Sequence, residues 1–173
     1  MNNDLPNFAQ LLRDQGIQPK KSLGQNFLFN TNIINQIIDL AGINPATPVL
    51  EIGAGPGNLT RALAVRAGRV VGVELDQRFL PLLEALMGTA GYVVVANLPY
   101  YITSAVIRKL LETHRKPARL VLTVQKEVAL RICARAGDLS LLAVSVRVYG
   151  DPHMELSIPA GAFYPSPKVD SAV

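Results

Sequence analysis

Asn97-Leu98-Pro99-Tyr100 is the stretch of this sequence whose residue types could do chemistry directly. An exocyclic amine on a nucleobase is a poor nucleophile, because its lone pair is delocalised into the ring. The side-chain amide oxygen of Asn97 and the backbone carbonyl of Leu98 can accept the amine's two hydrogens, which favours a tetrahedral nitrogen with its lone pair available. Pro99 fixes the local backbone direction. Tyr100 offers a ring face to a base withdrawn from its helix. Asn and Pro also favour ordinary strand-ending turns, so the weight of this motif depends on its company.

That company is Val49-Leu50-Glu51-Ile52-Gly53-Ala54-Gly55-Pro56-Gly57. Its first four residues, apolar except for Glu51, suit a strand buried on both faces. The glycines then make a sharp turn that another molecule can approach without meeting a Cβ. Asn58 is placed to cap a helix running through Ala64. Strand, glycine turn and helix form the first unit of a nucleotide-binding α/β fold. Roughly twenty residues on, the strand Arg69–Asp76 carries Glu74, where an acid takes the hydroxyls of a bound ribose.

The elements that must position these groups follow from periodicity and punctuation. Leu5, Phe8, Leu11 and Leu12 lie at helical spacing, and Gly16 and Pro19 end that helix. Residues 22–28 have no clean period and read as a loop. Asn30-Thr31 caps a helix through Ile33, Ile34, Ile37 and Ile38, which Gly42 and Pro45 end. Residues 77–87 are helical, with Pro81 near the start. Tyr92–Ala96 is a buried strand that delivers Asn97. Thr103 or Ser104 caps a helix through Val106, Ile107, Leu110 and Leu111. A strand over 119–124 and a helix over 125–134 follow. Residues 139–148 fit a strand by their valines and a helical face by Leu139, Leu142, Ala143 and Val146. Residues 154–158 read as a short strand, and 163–170 as a proline-stiffened loop.

At 173 residues, 49% hydrophobic and 17% charged, the chain can bury one core, and a single domain over 1–173 is the expectation. A net charge of +4 and a pI near 9.4 are compatible with a polyanionic partner and equally with a basic solvated surface. The one cysteine, Cys133, excludes an internal disulfide and a thiolate metal cluster. His114 and His153 stand too far apart in sequence to suggest a metal site. The N-terminus lacks the basic-then-apolar pattern of a signal peptide, and no apolar run is long enough to span a bilayer. A reduced, soluble, cytoplasmic, metal-free monomer is expected.

Four segments together resemble the ribosomal RNA adenine dimethyltransferase family, which uses S-adenosylmethionine. They are Leu23-Gly24-Gln25-Asn26-Phe27-Leu28, Glu51 to Gly57, Asn97 to Tyr100, and Phe163-Tyr164-Pro165-Ser166-Pro167-Lys168-Val169-Asp170-Ser171. The resemblance implies a Rossmann-like class I methyltransferase sheet with helices on both faces. It implies that Gln25, Asn26 and Leu28 touch the methionine end of the cofactor, that Gly53 and Gly55 form its turn, and that Glu74 takes the ribose. It implies that Asn97 meets both cofactor and target amine, and that Phe163 is a second aromatic face on the target adenine. It also resolves 139–148 as a helix, and makes 1–45 a helical lead-in. The implied reaction is dimethylation of N6 of adenosines in small-subunit ribosomal RNA during ribosome biogenesis, with the small ribosomal subunit as partner.

Two departures from the family pattern stand out. The stretch between Glu74 and Asn97 holds one helix and Gly88-Thr89-Ala90-Gly91, so an edge strand carrying another acid is missing. Removing that strand forces the following helix to change face or to make a rare left-handed crossover. Ser171-Ala172-Val173 falls where the family's final strand begins, so that strand and a helical RNA-binding domain beyond it are expected to be absent. Two rival functions follow: a macrolide-resistance type methyltransferase of large-subunit RNA, and a non-catalytic RNA-binding relic. The Lys20-Lys21-Ser22-Leu23-Gly24-Gln25 lead-in and Leu98 favour the small-subunit group over the first rival.

Overall fold

A computed structural model describes Pro19 and residues 24–73, 91–135 and 137–173. The expected helix over 5–15, Lys20, Lys21, Glu74 and the expected helix over 77–87 lie outside the described residues.

The described chain builds β1 (Phe27–Leu28), α1 (Thr31–Ala41), β2 (Pro48–Ile52), α2 (Asn58–Arg66), β3 (Arg69–Val73), β4 (Val93–Asn97), a 3-10 turn (Tyr100–Ile102) and α3 (Thr103–Glu112). Then come β5 (Arg119–Gln125), α4 (Lys126–Ile132), α5 (Leu141–Arg147), β6 (Ser157–Ile158), a second 3-10 turn (Ala160–Ala162), β7 (Phe163–Tyr164) and β8 (Ser171–Ala172). The ambiguous segment over 139–148 is therefore helical at its centre. Its start is capped by Ser140, whose side chain accepts from the Ala143 N–H.

The main sheet has the order β3-β2-β4-β5-β8-β6. Its first four strands are parallel, and β8 runs antiparallel to both β5 and β6. This Rossmann-like, mostly parallel sheet agrees with the sequence reading, and among the described residues β3 is its edge. The expected loss of the final strand is corrected, because Ser171–Ala172 enters the sheet as β8. The backbone of Val173 exchanges hydrogen bonds with Leu156 and Glu155, which continues the pairing beyond β6.

Alternation along the parallel strands sends side chains to both faces. Val49, Val93, Val95 and Val121 pack with Ile34, Ile37, Ile38 and Leu63 of α1 and α2. Leu50, Ile52, Val94 and Ala96 pack with Leu110 of α3 and Ala129 of α4 on the other face. Burial on both sides explains why these strands are nearly continuous apolar runs.

Helix α1 is capped as the sequence indicates. Asn30 accepts from the Ile33 N–H at 3.1 Å, and Gly42 ends the helix in the left-handed region at φ 58°. Arg119 at the start of β5 donates to the carbonyls of Leu40 and Ala41, so the helix end is tied to the sheet. The other two expected caps are corrected. Helix α2 starts after Gly57, at φ 83°, with no side-chain cap. Helix α3 follows directly from the 3-10 turn, and its preceding residue is Ile102.

Residues 22–28 also differ from the expected loop. Phe27 and Leu28 pair antiparallel with Tyr164 and Phe163 respectively, forming a separate two-stranded ribbon. A two-residue strand is too short to show a period, so its pairing is decided by contacts made far along the chain.

Candidate active site

Strand order reverses between β2 and β4, and the carboxyl ends of those two strands are where α/β sheets bind ligands. Ile52 ends β2 and hands the chain to Gly53; Asn97 ends β4. Gly53 has φ +81°, and a Cβ built on it would stand 3.1 Å from the Asn97 carbonyl oxygen. Glycine is required here on both counts, since the conformation disfavours a side chain and the neighbouring backbone fills the space. The Gly53 N–H donates to the Val73 carbonyl at 2.7 Å, which pins the turn to the end of β3. Gly55 is exposed, and the Phe27 ring packs on it, 3.0 Å from where its Cβ would be.

The lead-in segment is fastened over this turn. Asn97 Nδ2 donates to the Asn26 carbonyl at 3.0 Å, and Asn26 Nδ2 donates to the Gly24 carbonyl at 3.1 Å. Asn58 does not cap its helix. Its Nδ2 donates instead to the Leu28 carbonyl at 3.1 Å, because the helix is already entered through a left-handed glycine. Asn26 and Leu28 are thereby tied to Asn97 and Asn58, which flank the glycine turn in space. Asn26 and Gln25 are part-exposed, while the Leu28 side chain is buried and only its backbone lies toward the turn's helix.

Asn97 commits its amide nitrogen to Asn26, which leaves the carbonyl branch of the amide as an acceptor. Leu98 is held in place: its N–H donates to the Thr123 carbonyl at 3.2 Å, its side chain is buried, and the ring of the next residue, Pro99, fixes that residue's own φ at −57°. The Pro99 carbonyl accepts from Ile102 N–H at 3.2 Å, starting the 3-10 turn. Such an arrangement can present two fixed oxygen acceptors to one amino group.

Tyr100 is half-buried, and its hydroxyl lies 2.8 Å from Ser171 Oγ in β8. Burial pushes the Tyr100 phenol up from its ordinary value; the Ser171 hydrogen bond works against that, and the negative charge of Asp170 adds to it. Phe163, expected as a second aromatic face on the target adenine, lies in the β1–β7 ribbon. It is only 3% exposed and packs with Leu28, Ile158 and Ala162, because its backbone pairs with Leu28 across the short ribbon. Ser171, Phe27 and the amide of Asn58 are the contributors that local sequence signals did not reveal as parts of the site. Glu74 directly follows the last residue of β3 and lies outside the described residues.

The profile of a family described as "Ribosomal RNA adenine dimethylase" matches residues 16–91 and 87–173. The chain belongs to the ribosomal RNA adenine dimethylase family. The match comes in two pieces that overlap at 87–91. The chain is 41% identical over 187 residues to the ribosomal RNA small subunit methyltransferase A of Dehalococcoides mccartyi strain CBDB1, covering 95% of this chain and 64% of that protein. To the protein of the same name in Geobacillus sp. strain WCH70 it is 39% identical over 206 residues, covering 100% of this chain and 70% of the other. Among solved structures, a dimethyladenosine transferase from Plasmodium falciparum superimposes with a TM-score of 0.71 at 32% identity, covering 84% of this chain and 61% of that one. The 23S rRNA methyltransferase ErmE superimposes with a TM-score of 0.68 at 33% identity, covering 85% and 67%. The chain thus spans a little under two thirds of the length of the first of these relatives.

Proposed function

We propose that this chain transfers methyl groups from S-adenosylmethionine to N6 of adenosines in small-subunit ribosomal RNA, with the small ribosomal subunit as its partner. The observation that carries the proposal is the placement of Asn97 at the switch point. Its backbone abuts the Gly53 turn, and its amide is oriented by Asn26.

The residues present fit the cofactor. A Cβ would meet the Asn97 carbonyl at Gly53 and the Phe27 ring at Gly55, so the turn's backbone is bare of side chains, and the lead-in that carries the part-exposed Gln25 and Asn26 is tied to Asn97. Gln25, Asn26, Leu28, Gly53, Gly55, Glu74 and Asn97 would hold it. S-adenosylmethionine supplies a methyl group on a positively charged sulfur that departs as a neutral thioether. Asn97 Oδ1 and the Leu98 carbonyl hold the two hydrogens of the target amine, so the nitrogen's lone pair is directed at the methyl carbon. The nitrogen that gains the methyl group sheds its extra proton to solvent. Because the leaving group is neutral, little acid–base work falls to the protein, and catalysis is mainly positioning and electrostatic orientation. Tyr100 provides a ring face for the flipped base.

The test is methyl transfer from labelled S-adenosylmethionine into isolated small and large ribosomal subunits, with the modified position mapped by primer-extension stops. Label in small-subunit RNA at N6 of adenosine is the expected result. Label in large-subunit RNA would move the chain to the activity named for its structural neighbour ErmE. Cofactor binding without transfer, or neither, would support the non-catalytic reading instead.

A further inference from the structure

We infer that Tyr101 is a second nucleobase platform, taking the base next to the one presented to Asn97 in an unpaired RNA strand. The inference rests on the proposed role of Asn97. Tyr100 and Tyr101 are consecutive in the 3-10 turn, yet their side chains go to different partners. The Tyr100 hydroxyl reaches Ser171 in β8. The Tyr101 ring lies on the lead-in segment, with ring carbons 3.1 and 3.2 Å from where a Cβ of Gly24 would be and the Pro99 side chain 3.4 Å from the same point.

This seat is built rather than incidental. Gly24 has φ +60°, and any side chain there would strike the ring. The same glycine's carbonyl accepts from Asn26, whose own carbonyl accepts from Asn97. A continuous chain of contacts therefore sets the Tyr101 ring relative to the amide that meets the target amine. Even so seated, Tyr101 stays 64% exposed. An aromatic ring held at one edge and otherwise open to water, one residue after the ring proposed to face the flipped base, has the form of a stacking platform. Phe163, the other aromatic expected to serve the base, is buried in the core, so the exposed ring surface adjoining Tyr100 belongs to Tyr101. Stacking tolerates any base, so the contact would favour a continuous unpaired strand over an isolated nucleotide without reading its sequence.

The experiment uses the full chain and three short single-stranded RNAs that each contain one adenine: one intact, one with an abasic residue 5′ of the adenine and one with it 3′. Binding is measured at fixed salt for the parent, Tyr101→Phe and Tyr101→Ala, with the circular dichroism of each variant as a control for folding. The parent and Tyr101→Phe should lose about ten-fold in affinity when the abasic residue falls on one particular side. Tyr101→Ala should bind more weakly and show no difference among the three RNAs, while its S-adenosylmethionine affinity stays at the parent value. A parent that binds all three RNAs equally would overturn the platform and leave the methyltransferase reading standing. A parent that binds none of them at any salt would overturn both.

Discussion

The amide nitrogen of Asn97 donates to the backbone carbonyl of Asn26, 3.0 Å away and 71 positions earlier in the chain. One hydrogen bond thus joins the end of β4 to the lead-in segment and settles which face of the amide is left for a substrate. Asn97→Ala should lower methyl transfer by about 10²-fold or more, the usual loss for a transition-state hydrogen-bonding group. Asn97→Asp is the sharper test. Its carboxylate keeps the acceptor oxygen but has no N–H for Asn26, so it too should lose transfer, and a fully active Asn97→Asp would disprove the orientation argument. Single-turnover rates with saturating cofactor measure both.

Cofactor binding should depend on Glu74 and on the glycine turn. Glu74→Ala is expected to weaken S-adenosylmethionine binding by about 1.5–3 kcal/mol, the scale of a hydrogen bond to a charged group. Gly53→Ala must place a Cβ against the Asn97 carbonyl at φ +81°, so it should weaken cofactor binding and lower the melting temperature together. Calorimetric titration checks both, and unchanged affinity in Glu74→Ala would remove that residue from the site.

The Tyr100 phenol titrates above its ordinary value of about 10, chiefly because it is buried. The folded chain then keeps the proton to higher pH than the unfolded chain does. Stability from this group is fully present below about pH 10 and is lost as the pH rises through the raised value. Tyr100→Phe removes the group, so its stability should fall less steeply than the parent's above about pH 10. Ser171→Ala removes the bond that opposes the shift, and should move the phenol's titration higher still. Ultraviolet absorbance titration and denaturation at each pH would show it.

RNA affinity should fall steeply with salt if exposed cations meet phosphates. Lys109 and Lys168 are exposed, Lys116 stands 5.6 Å from the centre of the Tyr149 ring, and Arg108 pairs with Glu112 at 2.8 Å. Replacing a lysine that contacts phosphate should lower the slope of log affinity against log salt by about one. A flat titration in the parent would exclude a phosphate-dominated interface.

Much of this architecture was legible because it is locally encoded. The buried strands β2, β4 and β5 are mostly apolar runs, α1 carries its own caps in Asn30 and Gly42, and the glycine turn announces the switch point. What escaped were relationships made across long separations. No periodicity in Phe27-Leu28 indicates that it pairs with Phe163-Tyr164, and that pairing is what buries Phe163. Asn58 has the composition of a cap, yet the positive φ of Gly57 provides the helix entry and frees the amide for Leu28. The Tyr100–Ser171 bond depends on β8 entering the sheet, which two residues of sequence do not signal.

The place of β8 between β5 and β6 has a consequence for the order in which the molecule can be assembled during synthesis. Strands β2, β3, β4 and β5 can associate as they emerge, but the ladder that joins β6 to the sheet runs through Ser171 and Ala172. Ser171, the partner of the Tyr100 hydroxyl, arrives in that same late step. A nascent chain still short of it lacks the contact that steadies Tyr100 and the strand that carries β6. Seating of the Tyr100 hydroxyl therefore waits until residue 171 has been made.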